Sequence, residues 1–517
     1  IRQEDGYGLR PNIGFRGVTP ERSKKINILE DGILIGPAPY SAPAAYYFPS
    51  VNRMTSVEVV KGPAAIKFGP NTVAGTLNMT TRAVPDYLTG HVDLSLGSNG
   101  YQKFQGYIGD KVMLGNDEIG YLIEGGTYQA DGFKDIDNAN ASLFDPDSGF
   151  SKYDLMFKTN YLNTIDLFGL RLNQTFELKA GIAHEDSNET YLGLSDQDFA
   201  QTPYRRYAAS QAANMTWDHQ QLQFTHRLNA RSFNITNRLY HHEFSRAWRK
   251  VNGFQSVGVN SIDRSLQEII AAPDQGINQD YYRILTGQQD SVGRNESLIV
   301  GTNDRSYVSK GIQSDVNWAT QIFGISHLIS TGIRLHHDRI DRDHFAQNFQ
   351  MLSGVMTPDQ QGPKFTTVDY EQTDAVSVYL SDTVTFGRLD VTLGSRGELL
   401  DSRYQNEQTD EADNWLEKQT QVWLYSASAF YTANESLGIF IGAHEGFVPT
   451  SPKQAAQIQP ESSINYEFGV RFNQEQTQLE AVLFLNDFDN LKESCSFSTS
   501  ASCVTQAQLD QEYNGGE

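Results

Sequence analysis

Cysteine is scarce in this 517-residue chain, which contains only Cys495 and Cys503. Both lie in one polar stretch that is rich in Ser and Thr. In an oxidising compartment we expect them to form a local disulfide that pins a loop, and two unrelated thiols are the alternative. No further Cys or His pair lies at the spacing that a zinc site requires, so we expect no metal site of that kind.

Long apolar runs are absent as well, which excludes a membrane-spanning helix. A membrane β-barrel is not excluded, because only alternate residues of its strands face lipid.

Basic residues are fewer than acidic ones: the chain has 41 Lys and Arg and 63 Asp and Glu, and its formal net charge is -22. A nucleic-acid-binding protein needs a basic face, so we expect no nucleic-acid partner. We also find no nucleophile–base motif and no phosphate-binding loop, and expect no enzyme activity.

Glycine and aromatic residues are abundant, and their arrangement divides the chain in two. Residues 1–84 combine many Gly and Pro with short apolar runs, which predicts a compact mixed α/β domain with tight turns. Across 85–517 apolar and polar residues alternate. In 464–472, for example, Tyr466 lies on an apolar face and Glu467 on a polar face. This period of two predicts β-strands.

The connections between these strands favour a membrane barrel over a soluble sandwich. We expect about 15 strands, joined alternately by short turns on one rim and long loops on the other, as in outer-membrane barrels. Short turns fall near 228–229 and 387–388, and long connections at 186–214, 244–304 and 341–372. A soluble β-sandwich gives no reason to segregate loop lengths in this way. The prediction is an all-β membrane barrel with an N-terminal mixed domain.

Four ordered motifs in the first part of the chain carry a family resemblance. They are NIGFRG at 12–17, LEDGI at 29–33, VEVVKGPAAIKFG at 57–69 and AGTLNM at 74–79. Together they resemble the plug of TonB-dependent outer-membrane receptors. A chance match to one motif would mean little, whereas four in order are specific.

Segments of the second part extend this resemblance. ETYLGL at 189–194 and FSRAW at 244–248 look like the ferric dicitrate receptor branch, and PESSINYE at 460–467 resembles late-barrel segments of the whole family. The resemblance implies a plug at 1–84 and a transmembrane barrel at 85–517, of the plugged type that closes with about 22 strands. We expect both domains to be incomplete here, the plug at its N-terminus and the barrel at its C-terminus.

The resemblance also implies a function. It is TonB-dependent import of a ferric chelate, similar to ferric citrate, across the outer membrane of a Gram-negative cell. The expected partners are the chelate itself, TonB with its inner-membrane energy complex, and outer-membrane lipid and lipopolysaccharide. The chelate is the transported ligand, and no cofactor is expected.

In this family, plug arginines pair with barrel glutamates and hold the plug in place. The resemblance therefore implies that Arg16 and Lys61, on the plug side, contact Glu467 on the barrel side. Ordinary surface charge is the alternative. A charge on the polar face of a strand needs a partner when water is excluded.

An anionic chelate attracts arginine, whose planar fork matches carboxylates and keeps its charge. Candidates lie on the long-loop rim: Arg205 and Arg206 in one long loop, and Arg246 and Arg249 in the next. Each could instead be a solvated loop cation or the partner of a nearby carboxylate such as Asp198.

The apex of the plug should form the floor of the binding site. The family's apical loop corresponds to 40–48, where Tyr40, Tyr46 and Tyr47 can donate hydrogen bonds while presenting apolar rings. A buried packing loop is the alternative. This segment has no charge, so the barrel must supply the positive field.

Other functions remain open at this stage. Another siderophore, haem or a different metal chelate could be the cargo. A passive porin or an adhesin barrel is a rival of another class, but a porin needs no plug. The pairs His241–His242 and His336–His337 do not form a metal site alone, because adjacent residues of a strand point to opposite faces.

Overall fold

The computed structural model describes residues 1–3, 6–144, 147–188, 190–255, 264–408, 414–454, 459–494 and 512–514. Cys495 and Cys503 lie outside these ranges, so the disulfide stays a prediction. Within the ranges, no helix has both the length and the apolar character needed to cross a membrane.

The N-terminal part of the chain folds around short strands. They are β1 (Arg2–Gln3), β2 (Pro11–Asn12), β3 (Ile26–Glu30), β4 (Ile33–Leu34), β5 (Met54–Val60) and β6 (Gly75–Thr81). The last four form a sheet in the order β4–β3–β6–β5, with β3 parallel to β6. Asp31 and Gly32 turn β3 into β4 with positive φ angles of 52° and 80°, and glycine adopts such a conformation without strain. Short 3-10 helices connect the strands at Glu21–Ser23, Val51–Arg53 and Gly62–Lys67.

The rest of the chain is dominated by one large antiparallel sheet. The strands in this part of the chain are β7 (Thr89–Leu96), β8 (Gln102–Leu114), β9 (Asp117–Ala130), β10 (Asp135–Ile136), β11 (Phe150–Leu167), β12 (Leu170–Ser187), β13 (Arg205–Arg206), β14 (Asn214–Asn229), β15 (Phe233–Phe254), β16 (Leu298–Ile322), β17 (Ile325–Leu352), β18 (Val355–Pro358), β19 (Lys364–Phe386), β20 (Leu389–Asn406), β21 (Trp415–Thr432), β22 (Leu437–Val448), β23 (Glu461–Gln474), β24 (Thr477–Asp489), β25 (Lys492–Ser494) and β26 (Glu512–Asn514). Sixteen of them form the sheet, which runs in chain order from β7 to β24 with β18 attached to β17. Each strand predicted in 85–490 corresponds to a long strand of this sheet.

The two faces of the sheet differ as the alternation predicts. Cross-strand register places five apolar side chains directly opposite one another on β15, β16, β17, β19 and β20. They are between 39% and 54% exposed: Leu239, Ile312, Leu335, Val376 and Leu399. The residues that follow Leu239 and Leu335, Tyr240 and His336, are buried on the opposite face. An apolar outer face with a polar inner face is the arrangement of a membrane barrel, and the all-β fold class is confirmed.

Two predicted long connections are wrong in their extent. Within 244–304, β15 continues to Phe254 and β16 begins at Leu298, so Arg246 and Arg249 lie on a strand. The segment 341–372 was expected to be a loop, but β17 continues to Leu352 and β19 begins at Lys364. Polar residues of this segment pair across the sheet, as where Arg342 lies opposite Asp369. The apolar alternation that marks a membrane strand stops earlier because these outer strand ends no longer need an apolar face.

The long connections pack together into a folded layer. The helices α1 (Asp196–Gln201), α2 (Leu266–Ala271) and α3 (Asn278–Leu285) lie in them. An apolar core joins α2 and α3 to the outer ends of β15, β16 and β17, with Ile269, Ile284, Phe254 and Met351 among its buried members. These connections therefore form one packed unit.

The N-terminal unit is fixed to the sheet by buried charges. The Arg53 guanidinium binds the Glu30 carboxylate through two hydrogen bonds of 2.7 Å and approaches Asp154 on β11 at 3.2 Å. Lys179 on β12 binds Glu30 at 2.9 Å and Asp31 at 2.7 Å. These side chains are buried, so each charge depends on its partner instead of on water.

We expect Glu30→Gln to destabilise the seated N-terminal unit, because Arg53 and Lys179 would stay buried with one carboxylate fewer. Removing one partner of a buried pair costs roughly 3–5 kcal/mol. Urea denaturation followed by tryptophan fluorescence measures the loss. Glu58→Gln, an exposed carboxylate on β5, is the matched control and should leave the transition unchanged. Equal midpoints for the two variants would contradict the buried network.

The same carboxylate gives a pH dependence. Burial tends to raise the pKa of Glu30, but Arg53 and Lys179 lower it from 4.5 to about 2. The stabilisation is therefore complete above the unfolded value and is lost as the pH falls through the folded value. The difference in unfolding free energy between wild type and Glu30→Gln should shrink over this interval. A difference independent of pH would show that Glu30 is not ionised in the folded protein.

The loop core gives a second stability test. Ile284 on α3 is fully buried, and Ile284→Ala should cost roughly 2–5 kcal/mol in the loop layer. Hydrogen exchange should then rise in α2, α3 and the hairpin of β17 and β18 together. Ile277, beside the same helix and 44% exposed, is the control, and Ile277→Ala should change little. Faster exchange confined to α3 would show that the loops are independent.

Candidate functional site

Three arginines surround one tyrosine of the plug near the outer ends of β15 and β16. The Cζ atom of Arg246 lies 3.9 Å from the centre of the Tyr46 ring, and those of Arg22 and Arg305 lie 5.2 and 5.6 Å from it. Arg22 also donates a hydrogen bond of 2.7 Å to the Tyr46 hydroxyl. We call Arg22, Arg246 and Arg305 the arginine cluster. A single aromatic ring attracts the cations by its π face but cannot neutralise them.

Arg246 is the least satisfied member of the arginine cluster. Its side chain is 1% exposed, and among the described residues none of its three guanidinium nitrogens has a hydrogen-bond partner. Nearby donors are in the same condition: the Tyr307 hydroxyl and the Trp248 indole N–H are buried without partners there. Buried donors of this kind are costly unless an acceptor binds them. A carboxylate would accept two parallel hydrogen bonds from the guanidinium.

A comparison along the wall shows that this lack of partners is local. Arg342 on β17, directly opposite Arg305, binds Asp369 at 2.8 Å and Glu371 at 3.3 Å. Arg305 instead donates to Nε2 of His344 at 2.9 Å, and it has no ion pair within the described residues. Within the described residues, Arg246 and Arg305 therefore have no carboxylate ion pair, whereas Arg342, one strand further on, is paired with two carboxylates.

Local backbone geometry places these side chains. Alternation along β15 directs Phe244, Arg246 and Trp248 toward the plug, where all three are buried. Arg22 lies in the left-handed region with φ of 46°, and its N–H donates to the Asn12 side chain at 2.5 Å. Such a conformation costs a non-glycine residue on the order of 1–3 kcal/mol, which the surrounding contacts must offset.

Two of the predicted ligand tyrosines lie in plug–barrel contacts. Tyr40 is 4% exposed, and its hydroxyl donates to Glu398 at 3.1 Å while its N–H donates to Asp338 at 2.6 Å. Tyr47 is 1% exposed and stacks on His219 with ring centres 4.0 Å apart. Tyr46 alone of the three lies at the arginine cluster. Ligand binding by Tyr40 and Tyr47 stays a prediction; the Tyr40 hydroxyl contacts the barrel wall, and the Tyr47 hydroxyl accepts a hydrogen bond of 3.5 Å from Arg53 of the plug.

The four predicted ligand arginines occupy different surroundings. Arg205 pairs with Asp137 at 2.9 Å and with Asp198 at 3.2 Å, which is the alternative considered for it. Arg206 donates to the Thr190 hydroxyl at 3.1 Å. Arg249 donates to the Ala212 carbonyl at 2.7 Å, on the opposite face of β15 from Arg246. The structure therefore brings only Arg246 of this set to the plug apex.

The predicted plug–barrel contact involves one of its two cations. Arg16 forms an ion pair with Glu467 on β23, and Asn486 donates to the Arg16 carbonyl at 2.9 Å. Lys61 is exposed and lies 5.4 Å from the centre of the Phe15 ring. The next residue, Gly62, lies beside the Glu467 carboxylate. A Cβ atom at this position would come within 2.6 Å of Glu467 Cδ, so the close approach requires glycine.

Sequence reasoning missed Arg22 and Arg305 at this site. Arg305 could have been found from strand register, because it lies directly opposite Arg246. Nothing in the sequence marks Arg22, which reaches Tyr46 through a left-handed turn. Within the described ranges, no group of three or more His, Cys, Asp or Glu side chains is placed to hold a metal ion.

Comparison with known proteins gives the family. A model described as TonB-dependent receptor-like β-barrel matches residues 68–511, and one described as TonB-dependent receptor plug domain matches residues 1–76.

Solved structures agree on the fold. The ferric citrate transporter FecA in its unliganded form matches with a TM-score of 0.69 and 18% identity, over 93% of this chain and 64% of that chain. The siderophore receptor PiuA from Acinetobacter baumannii gives 0.63 and 13%, over 91% and 65%. The copper transporter OprC gives 0.59 and 14%, over 91% and 65%.

The chain thus spans just under two thirds of the length of these structures. At such identities the structural likeness shows the fold alone. The family follows from the barrel model, which matches well over half of the chain. The chain belongs to the TonB-dependent receptors, a family of plugged outer-membrane β-barrels.

Proposed function

We propose that this protein imports an anionic ferric chelate of the citrate type across the outer membrane of a Gram-negative cell, with TonB and its inner-membrane energy complex as the source of work. The observation that carries the proposal is the buried Arg246 guanidinium without a hydrogen-bond partner in the described structure, placed over Tyr46 between Arg22 and Arg305. An anion with several carboxylates satisfies such a group best. The likeness to a ferric citrate transporter supports this choice.

Three features of the site contribute to binding of the anionic chelate. Arg246 and Arg305 supply positive charge from the barrel wall, and Arg22 supplies it from the plug. Tyr46 provides an aromatic floor. Since one arginine belongs to the plug and two to the barrel, a bound anion would bridge the two domains. Binding at the mouth would then change the contacts of the plug, which is the domain that TonB must move.

Other cargoes fit this site less well. Haem and neutral hydroxamate chelates offer fewer carboxylates for three clustered arginines. Copper ions, the cargo named for one structural neighbour, would be repelled by the same charges. A passive porin does not require the plug motifs or the buried ion pairs that seat the N-terminal unit.

Arg246→Ala in the full-length receptor should weaken the binding of ferric citrate. Loss of a charge-assisted hydrogen bond costs about 1.5–3 kcal/mol, which is roughly a tenfold to hundredfold rise in Kd. Arg246→Lys should fall between wild type and Ala, because it keeps the charge but not the fork. Titration calorimetry measures all three, and Arg283→Ala on the exposed surface of α3 is the control.

The same titration tests the cargo. Wild type is titrated with ferric citrate, a ferric hydroxamate siderophore and haem. We expect heat with ferric citrate and a salt-dependent Kd, because the attraction is electrostatic. No heat with ferric citrate, together with clear heat from another chelate, would overturn the citrate proposal.

A further inference from the structure

A second set of cations lies on the barrel wall below the arginine cluster, around one turn of the plug. The turn is Glu30–Asp31–Gly32, between β3 and β4. Lys179 on β12 contacts both carboxylates, at 2.9 Å and 2.7 Å, and Lys158 on β11 lies 3.8 Å from Asp31. Lys158 and Lys179 face each other across the two strands. Both are at most 3% exposed, so they depend on acceptors of the plug, which are the two carboxylates and, for Lys158, also the Arg82 carbonyl at 3.0 Å.

A third cation closes this site from β15. A Cβ atom on Gly32 would lie 3.0 Å from Nη2 of Arg238, so only glycine allows the turn to sit so close to the guanidinium. Arg238 keeps one carboxylate of the barrel, Asp315, at 2.7 Å. We call Lys158, Lys179 and Arg238 the cationic notch.

The cationic notch and the arginine cluster lie on one track. Arg238, His242 and Arg246 are four residues apart on β15 and face the plug, which corresponds to steps of about 13 Å along a strand. His242, at the intermediate step, is buried, and neither ring nitrogen has a partner in the described part of the chain. The wall thus carries polar groups, two of them cations, from the mouth down to the turn.

Withdrawal of the plug turn would change the charge balance of this wall. Glu30, Asp31 and Arg53 would leave together, because all three belong to the plug, and Asp154, the barrel partner of Arg53, would stay on β11. Lys158 and Lys179 would then be left without those carboxylates in a confined lumen, where an unpaired ammonium is costly. An anion that replaces the plug carboxylates relieves this cost.

We propose that the cationic notch is an intermediate binding site for the anionic chelate on its way through the barrel, and that the plug turn occupies it with Glu30 and Asp31 until the plug moves. This inference rests on the proposed function, since it needs a carboxylate-bearing cargo. Plug withdrawal and cargo movement are coupled, because the same lysines first bind the plug carboxylates and then, after the plug has moved, bind the chelate.

The rival explanation is that the cationic notch only seats the plug and never binds the chelate. Neutralising the charges on both the barrel side and the plug side distinguishes this explanation from the proposal. Lys158→Gln with Lys179→Gln removes the cations. Adding Glu30→Gln and Asp31→Asn removes the facing carboxylates too, and Arg53, which loses Glu30, keeps Asp154 as its ion-pair partner at 3.2 Å. Each variant is made in the full-length receptor. Uptake of ferric citrate by cells is measured beside its Kd at the mouth and the urea midpoint.

Under the proposal, the double variant keeps its Kd and loses uptake by about tenfold or more, the scale of one lost charge-assisted contact. The quadruple variant has a higher urea midpoint than the double variant, because Arg53 and Asp154 then balance each other, but it does not regain uptake. Lys158→Arg with Lys179→Arg keeps the charges and should keep most of the uptake. Recovery of wild-type uptake in the quadruple variant would overturn the proposal, since it would show that only plug seating matters.

Lys25→Gln with Glu461→Gln is the matched control. This buried plug–barrel pair, 2.8 Å long, lies outside the notch, and its double neutralisation should leave uptake unchanged. An equal loss of uptake in this control and in the quadruple variant would also overturn the proposal. Failure of the proposed function is distinguishable, because wild type itself would then show no binding and no uptake of ferric citrate.

Discussion

The pairing of charges across the boundary between plug and barrel is the interaction on which the rest of the structure depends. Arg53, Glu30 and Lys179 meet where water is excluded, so each charge requires a partner from the other domain or its own. This requirement aligns the plug against particular strands. It also distinguishes Arg246, which is equally buried but has no hydrogen-bond partner among the described residues.

The fold was largely predictable because alternation of apolar and polar residues is a local property. Leu335 and His336, adjacent on β17, show the two faces directly. The outer half of β17 was missed because its residues, among them Asp341 and Arg342, extend past the lipid and carry no apolar face. Only pairing with β19 makes this segment a strand, and such pairing is not visible in one segment alone.

The candidate site was predictable only in part. Tyr46 and Arg246 were named from their place in the chain, but Arg249 was grouped with Arg246 although residues three apart on a strand face opposite ways. Arg205 is paired with Asp137 and Asp198, and its role as a ligand residue stays a prediction. Contacts between distant loops decide this, and no local pattern encodes them.

The shared core of the long loops has a consequence for how such a receptor diversifies. Because Ile284, Phe254 and Met351 belong to one apolar cluster, a change in the length of one loop disturbs the others. Arg246 and Arg305, at the mouth beneath them, project from strands and do not belong to this cluster. Under the proposed function, an exchange of one of these strand residues therefore changes the contacts to the cargo without disturbing the loops above.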